Sequence, residues 1–362
     1  MYNCHIHTFT EKDIPENYYP KLIMKFLRKE STEDLVKYFL KYIQKLESKF
    51  GIDAEEAERY LQFYIIGSKD SQTEIFNDCR NSYPAGAKFF VLSMDMQYMG
   101  CGDVPRDYMQ QLTELSQVDQ THILPFIHID PRRNGYFSIL REAIEQLGFK
   151  GVKIYPPLGV FPHDARLDCV YEYCTDHNLP IVTHCSPHNP THYKGTRKEL
   201  IELLKNPYFD VNPRGLTKKD LCDIFTHPKN FQIVCQRYPH ARISFAHYGS
   251  ARMWKKMLCD PYDQDNWVNI INNMIQLYPN LYTDISYTLY ENIADCSNTF
   301  YQLLNTFLQN PSIRDKVLFG SDFFMPASQE TDMQFAEHIR SAIGDELFER
   351  ISNTNPERFL GV

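Results

Sequence analysis

Two histidines separated by one residue, His5-Ile6-His7, stand near the start of the chain. Neutral imidazole nitrogens suit Zn²⁺ and related divalent ions, at about 2.0–2.1 Å. With 13 histidines in 362 residues, chance alone supplies about half of one such pair. Placement therefore has to carry the argument. On a strand, positions i and i+2 share a side, which predicts both imidazoles facing one way and Cys4 with Ile6 facing the other. Other ionisable side chains end or sit within short apolar runs. Lys153 lies in Gly-Val-Lys-Ile-Tyr-Pro, His184 follows Pro-Ile-Val-Thr, His247 follows Ile-Ser-Phe-Ala, and Asp322 follows Val-Leu-Phe-Gly-Ser. Burying such a group without a partner is costly. Any one of them alone is an ordinary satisfied core residue; the whole set points to a shared polar cluster.

Something must bring these residues together. Eight β-rich apolar runs recur, at 2–7, 88–93, 123–128, 151–155, 180–185, 242–247, 281–286 and 317–321, most of them followed by helical periodicity. Phe137, Leu140, Ile144 and Leu147 fall on one helical face, as do Trp267, Ile270, Ile271 and Met274. Repeated strand–helix alternation predicts an α/β fold, a (β/α)₈ TIM barrel whose strand ends meet at one mouth. No Gly-x-Gly-x-x-Gly follows a strand, which disfavours the doubly wound alternative. The expected organisation is one barrel domain, 1–362, with a long helical insertion over 9–85. There Leu35, Phe39, Ile43 and Leu46 share a face, and Asp53 with Glu56 resembles a capping box. Emerging after strand 1, the insertion is read as a lid, a subunit interface of a homo-oligomer, or a plain cap. A second excursion, Ser186 to Gln232, leaves strand 5 and carries specificity-type loop residues.

The formal net charge is -8 with no basic block, so nucleic acid is not an expected partner. No apolar run of about 18 residues predicts a membrane span. Met1 to Thr10 do not read as a secretory leader. The ten cysteines lack a Cys-x-x-Cys pair; Cys4, Cys169, Cys174, Cys185 and Cys235 read as reduced core thiols. A cytoplasmic enzyme acting on a small molecule is the expectation.

At this point the sequence resembles the amidohydrolase superfamily of metal-dependent hydrolases, in the branch that also holds aminocarboxymuconate-semialdehyde and resorcylate decarboxylases. Besides the residues above, the likeness rests on Phe149-Lys-Gly-Val-Lys-Ile-Tyr-Pro-Pro-Leu-Gly, on Tyr238-Pro239 and Ala246-His247-Tyr248-Gly249, on Gly320-Ser321-Asp322 and on Asn355-Pro-Glu-Arg-Phe-Leu-Gly. The resemblance implies that His5, His7, His184 and Asp322 ligate one divalent ion, Zn²⁺ or else Mn²⁺, with His247 beside it. Such an ion lowers the pKa of its water to about 7. Asp322 would then take and pass a proton, and His247 would polarise the substrate or act as acid–base. A two-metal version, disfavoured against one ion, has a carboxylated Lys153 bridging and His184 with His247 binding the second ion; Lys153-Ile-Tyr155-Pro156 resembles the lysine segment of dihydroorotases.

Fainter signals surround these. Arg132 and Arg133 follow strand 3 and could grip a substrate carboxylate. Tyr155, His188, Arg214 and Asp284 are further substrate-side candidates from their loop and strand-end positions. The favoured activity is hydrolysis of an amide, lactone or related carbonyl-centred bond. The alternative is decarboxylation of an unsaturated or aromatic carboxylate with the same ligands. His247-Tyr248-Gly249-Ser250 lacks the glycine run associated with those decarboxylases, and Lys153 leans toward the hydrolases.

Overall fold

A computed structural model describes residues 1–18, 64–187, 193–205, 211–288, 297–323 and 332–362. Eight parallel strands lie in chain order: β1 (Tyr2–Ile6), β2 (Lys88–Leu92), β3 (Ile123–His128), β4 (Gly151–Ile154), β5 (Ile181–His184), β6 (Ile243–Ala246), β7 (Leu281–Asp284) and β8 (Val317–Leu318). The sheet curls back on itself. Cys4 N donates to Phe319 O at 2.8 Å and Asp322 N to His5 O at 2.8 Å, joining the last strand to the first. Helices flank it, among them Tyr108–Gln117, Tyr136–Glu145, Asp168–Asp176, Trp267–Leu277 and Asp332–Ile343. The expected TIM barrel is present, with most strands ending one to three residues earlier than the apolar runs suggest. None of the described helices is long and apolar enough to cross a membrane.

The two apolar layers show which side chains point inward. Tyr2, Cys4, Phe90, Leu92, Phe126, Val182, Ala246, Tyr282 and Leu318 form a cluster drawn from every strand but β4, which is the barrel interior. Ile6, Val91, Ile127, Val152, Ile154, Ile181 and Phe245 instead pack with helix residues such as Leu112, Leu140 and Ile271. Strand alternation then aims Lys153, His184, Asp284 and His128 into the barrel above the interior cluster. At β4 the floor is a glycine, because a Cβ on Gly151 would fall 2.3 Å from the Phe126 ring. The C-terminal motif seals the bottom. Asn355 Nδ2 donates to Arg314 O and Val317 O, both at 2.7 Å, and Phe359 sits against Phe90 and Tyr282.

One expectation is corrected here. Cys4 and Ile6 do not share a side, since Cys4 joins the interior cluster and Ile6 the outer one. The register against β2 slips by one residue between Asn3 and Ile6. This bulge lets both Cys4 and His5 face inward, and bulges beside active sites commonly re-aim a side chain in this way.

The described parts of the insertion are helical at 64–67 and 72–80, as expected, but not at its start. Residues 9–18 hold only the 3₁₀ turn Glu11–Asp13, whereas the later part carries the helix Gln72–Arg80, capped by Ser71 on Glu74 N. The helical faces expected at Leu35–Leu46 and Asp53–Tyr64 lie outside the described residues, Tyr64 excepted, and so does His188. All nine described cysteines are free thiols. Cys169, expected in the core, is half-buried on its helix.

Candidate metal centre

Donor chemistry at the barrel mouth starts from β1. His5 is buried and His7 nearly so, and each has its Nδ1 edge against an acceptor. His7 Nδ1 lies 2.7 Å from Leu92 O at the end of β2. A carbonyl can only accept, so Nδ1 carries the proton and Nε2 keeps its lone pair. His5 Nδ1 lies 3.2 Å from Asp284 Oδ2, a carboxylate that fixes the same tautomer. Partners of this kind orient ligating histidines and raise their basicity. Asp322 closes the set from the end of β8, with its Oδ1 3.9 Å from His7 Nε2. Ligand atoms of His5, His7 and Asp322 all lie within 4.8 Å of one another. Two nitrogens and a carboxylate oxygen, the imidazoles already presenting lone pairs, fit a divalent ion of the Zn²⁺ class.

Electrostatics favours the same reading. Burial drives His5 well below the ordinary histidine value and His7 down to about 3, and Lys153 adds to both effects. These imidazoles are neutral at physiological pH, as ligands must be. Burial also raises the Asp322 carboxyl to about 7, against the opposing pull of Lys153. Lys153 itself is pressed down to about 8 by burial, although Asp284 and Asp322 counteract. Its Nζ is buried and has no hydrogen-bond partner among the described residues. An orphaned ammonium inside a barrel is a group with a task still to perform, for an unpaired buried charge costs stability.

His184 and His247 form a second pair, with the His247 ring 4.8 Å from that of His5. His184 Nδ1 and His247 Nε2 stand 3.1 Å apart, and Ser186 Oγ reaches His184 Nε2 at 3.0 Å. His247 Nδ1 faces Ser286 O at 3.1 Å, so its proton sits there too. Tyr155 packs beside His184, ring centroids 4.8 Å apart. The structure thus groups His5, His7 and Asp322 as one cluster, and sets His184 against His247 rather than within it.

A second trio, His5, His247 and Asp284, also comes within 4.8 Å, but hydrogen bonds already occupy it. Asp284 Oδ1 accepts from His247 N at 3.1 Å, Ser286 N at 3.1 Å and the Ser286 hydroxyl, while Oδ2 takes His5. Asp284, a candidate by its strand-end position either for the pocket or for supporting the ligands, is engaged in holding the histidines.

The backbone is bent to reach this arrangement. His247 (φ 66), Tyr248 (φ 38) and Asp322 (φ 60) adopt left-handed conformations just past their strands, each costing about 1–3 kcal/mol. Asp322 is braced from behind: Ser321 N donates to Asn3 Oδ1 at 3.1 Å and Ser321 Oγ to Asp332 Oδ2 at 2.7 Å. Gly320 is required for the approach of β8, since a Cβ there would lie 2.9 Å from His5 Cβ.

The arginines are already paired. Arg132 Nε meets Asp130 Oδ1 at 2.8 Å and its Nη1 donates to Leu158 O at 2.9 Å. Arg133 clasps Asp95 through two hydrogen bonds, and both line a cavity of about 260 Å³ at the end of β2. Arg214 is exposed on the loop beyond β5. Sequence reasoning passed over Asp95, Ser286 and His128, whose Nδ1 accepts from Asp95 N at 2.9 Å. His128 ends β3 as His184 ends β5, and Ser286 stands two residues after Asp284. The spacing rule that singled out His5 and His7 would have found both.

Comparisons with known proteins bear on the fold and the family. A search of curated proteins returns no match. Among solved structures, an uncharacterized TIM-barrel protein from Bordetella bronchiseptica aligns over 100% of this chain and 99% of its own, at 16% identity and a TM-score of 0.53. A probable 2-pyrone-4,6-dicarboxylic acid hydrolase from Acinetobacter baumannii, with citric acid bound, covers 100% and 99% at 10% identity and a TM-score of 0.55. 4-Oxalomesaconate hydratase from Rhodopseudomonas palustris covers 100% and 95% at 14% identity and a TM-score of 0.50. At these identities the likeness is one of fold. The family model for amidohydrolases (Amidohydro_2) matches residues 123–362, which include β3 to β8 with Lys153, His184, His247 and Asp322, and the chain belongs to this amidohydrolase family.

Proposed function

We propose that this enzyme is a metal-dependent hydrolase that adds water to a carbonyl-centred bond, such as an amide or lactone, in a small molecule. The observation that carries the proposal is the cluster of His5, His7 and Asp322, with both imidazoles locked to present Nε2. These three would hold one divalent ion, with His184 able to complete the set. When bound, the ion supplies Lewis acidity toward the carbonyl and the attacking water. The chain's own groups supply the rest. Asp322, which the ion would hold ionised, is placed to take a proton from the attacking water and to return it to the leaving group. His247 keeps its proton on Nδ1 and its Nε2 faces His184 Nδ1 at 3.1 Å, so the two histidines would act on the substrate as a pair. Lys153 Nζ, without a hydrogen-bond partner among the described residues, is suited to pair with a substrate oxygen anion. Two fold neighbours bear the names of a hydrolase and a hydratase, which favours water as the co-reactant.

A two-ion version draws on a different observation. His184 Nδ1 and His247 Nε2 at 3.1 Å could share a second cation, with a carboxylated Lys153 between the ions.

The deciding experiment uses metal-stripped chain reloaded with Zn²⁺ or Mn²⁺. It is assayed against lactone and amide panels and for CO₂ release from aromatic and unsaturated carboxylates. Metal-dependent hydrolysis supports the proposal, and CO₂ release without hydrolysis replaces it with a decarboxylase. A metal count of two per chain at full activity replaces the single ion with a pair.

A further inference from the structure

Ser286 is fully buried just beyond β7 and meets three groups of the site at once. Its Oγ lies 3.2 Å from His5 Nδ1 and 3.0 Å from His247 Nδ1, and it bonds Asp284 Oδ1. A serine hydroxyl has one proton and two lone pairs. Asp284 Oδ1 is an acceptor, so the hydroxyl proton goes there. The two lone pairs are then left for the Nδ1–H groups of His5 and His247, which come from β1 and from the turn after β6. We propose that Ser286 is a positioning residue whose hydroxyl clamps the Nδ1 edges of His5 and His247, leaving the Nε2 edge of His5 for the metal centre and that of His247 for His184. The inference rests on the metal-dependent reading above and adds a residue to it.

Each imidazole also has a second acceptor. His5 has Asp284 Oδ2 at 3.2 Å and His247 has Ser286 O at 3.1 Å. Those acceptors choose the tautomer. The hydroxyl, lying between the two rings whose centroids are 4.8 Å apart, fixes how they are tilted against each other. Neither Asp284 nor the fold depends on it alone, because Oδ1 keeps the His247 and Ser286 backbone N–H groups. Ser286→Ala is therefore expected to fold.

The test is titration of the metal-stripped full chain with Zn²⁺ alone against a chelating indicator, and with Co²⁺ alone followed by visible absorption. Outer partners of metal-bound histidines typically contribute 10–100-fold to affinity. Since each imidazole retains one acceptor, Ser286→Ala is expected at the lower end, about tenfold weaker for Zn²⁺, with a changed Co²⁺ spectrum and an unfolding midpoint close to that of the parent. A folded Ser286→Ala that binds Zn²⁺ within about twofold of the parent and gives the same Co²⁺ spectrum overturns the clamp. A parent chain that binds no Zn²⁺ overturns the metal-dependent reading itself, and the clamp with it. Nitrogen-15 spectra of the histidines in the unsubstituted chain add a check that needs no variant. The clamp requires Nδ1–H on His5 and on His247, and Nε2–H on either one contradicts it.

Discussion

Replacing Lys153 with methionine should make the metal-stripped protein more stable. Lys153 is 1% exposed and its ammonium has no hydrogen-bond partner among the described residues. Burial lowers it from 10.5 to about 8 despite the attraction of Asp284 and Asp322. At about 1.4 kcal/mol per pKa unit, holding it charged at pH 7 costs about 3 kcal/mol relative to the unfolded chain. Methionine fills nearly the same volume and needs no partner. Lys153→Met is thus expected to gain about 2–3 kcal/mol in urea unfolding at pH 7, while metal-supported turnover falls. The pH dependence has a definite sign. A lysine with a depressed folded value is penalised fully below about 8, progressively less up to 10.5, and not at all above. The gap between variant and parent should therefore be widest at pH 7 and close between about pH 8 and 10.5. A variant less stable than the parent at pH 7, or a gap that ignores pH, would refute the reasoning and mean that the ammonium is compensated.

Three further expectations follow from the same geometry. Zn²⁺ affinity should rise about tenfold per pH unit up to about pH 7 and then flatten, because Asp322 must lose its proton at about 7 while His7 is already neutral down to about 3. Competition titrations check this, and a slope near three would mean that the histidines titrate as well. Gly320→Ala would place a methyl 2.9 Å from His5 Cβ and 3.3 Å from Ser286 Cβ, so it should cost about 1–3 kcal/mol and weaken metal binding in equilibrium titrations. Phe359→Ala removes the barrel's floor plug and should cost about 3–5 kcal/mol in denaturant unfolding. Metal affinity in that variant should be unchanged, since the site lies at the opposite end.

The barrel was legible because short apolar runs alternate with helical periodicity and most of those runs give way to a polar group, a pattern that survives without knowledge of tertiary contacts. His5, His7 and Asp322 were legible for the same reason. The sides of β1 were not. A one-residue bulge between Asn3 and Ile6 reverses alternation, and no glycine or proline marks it in the sequence. Nor could the left-handed turns at His247 and Asp322 be read, since Asp and His enter that region more often than most residues but still only in a small minority of positions. Their stability comes from distant groups, Asp284 for His247 and Asn3 with Asp332 for the stretch around Asp322. The pairing of Arg133 with Asp95 is likewise a long-range choice: the sequence shows an arginine after β3 but not the carboxylate from β2 that neutralises it.

The central claim is that His5, His7 and Asp322 form a built site for a divalent ion. Equilibrium Zn²⁺ titration of the metal-stripped chain beside His7→Ala and Asp322→Asn tests it most directly, with folding of all three verified by circular dichroism. Tight binding of Zn²⁺ by the parent, lost in both folded variants, is the predicted result. Binding of equal affinity in either variant, or none in the parent, would contradict it.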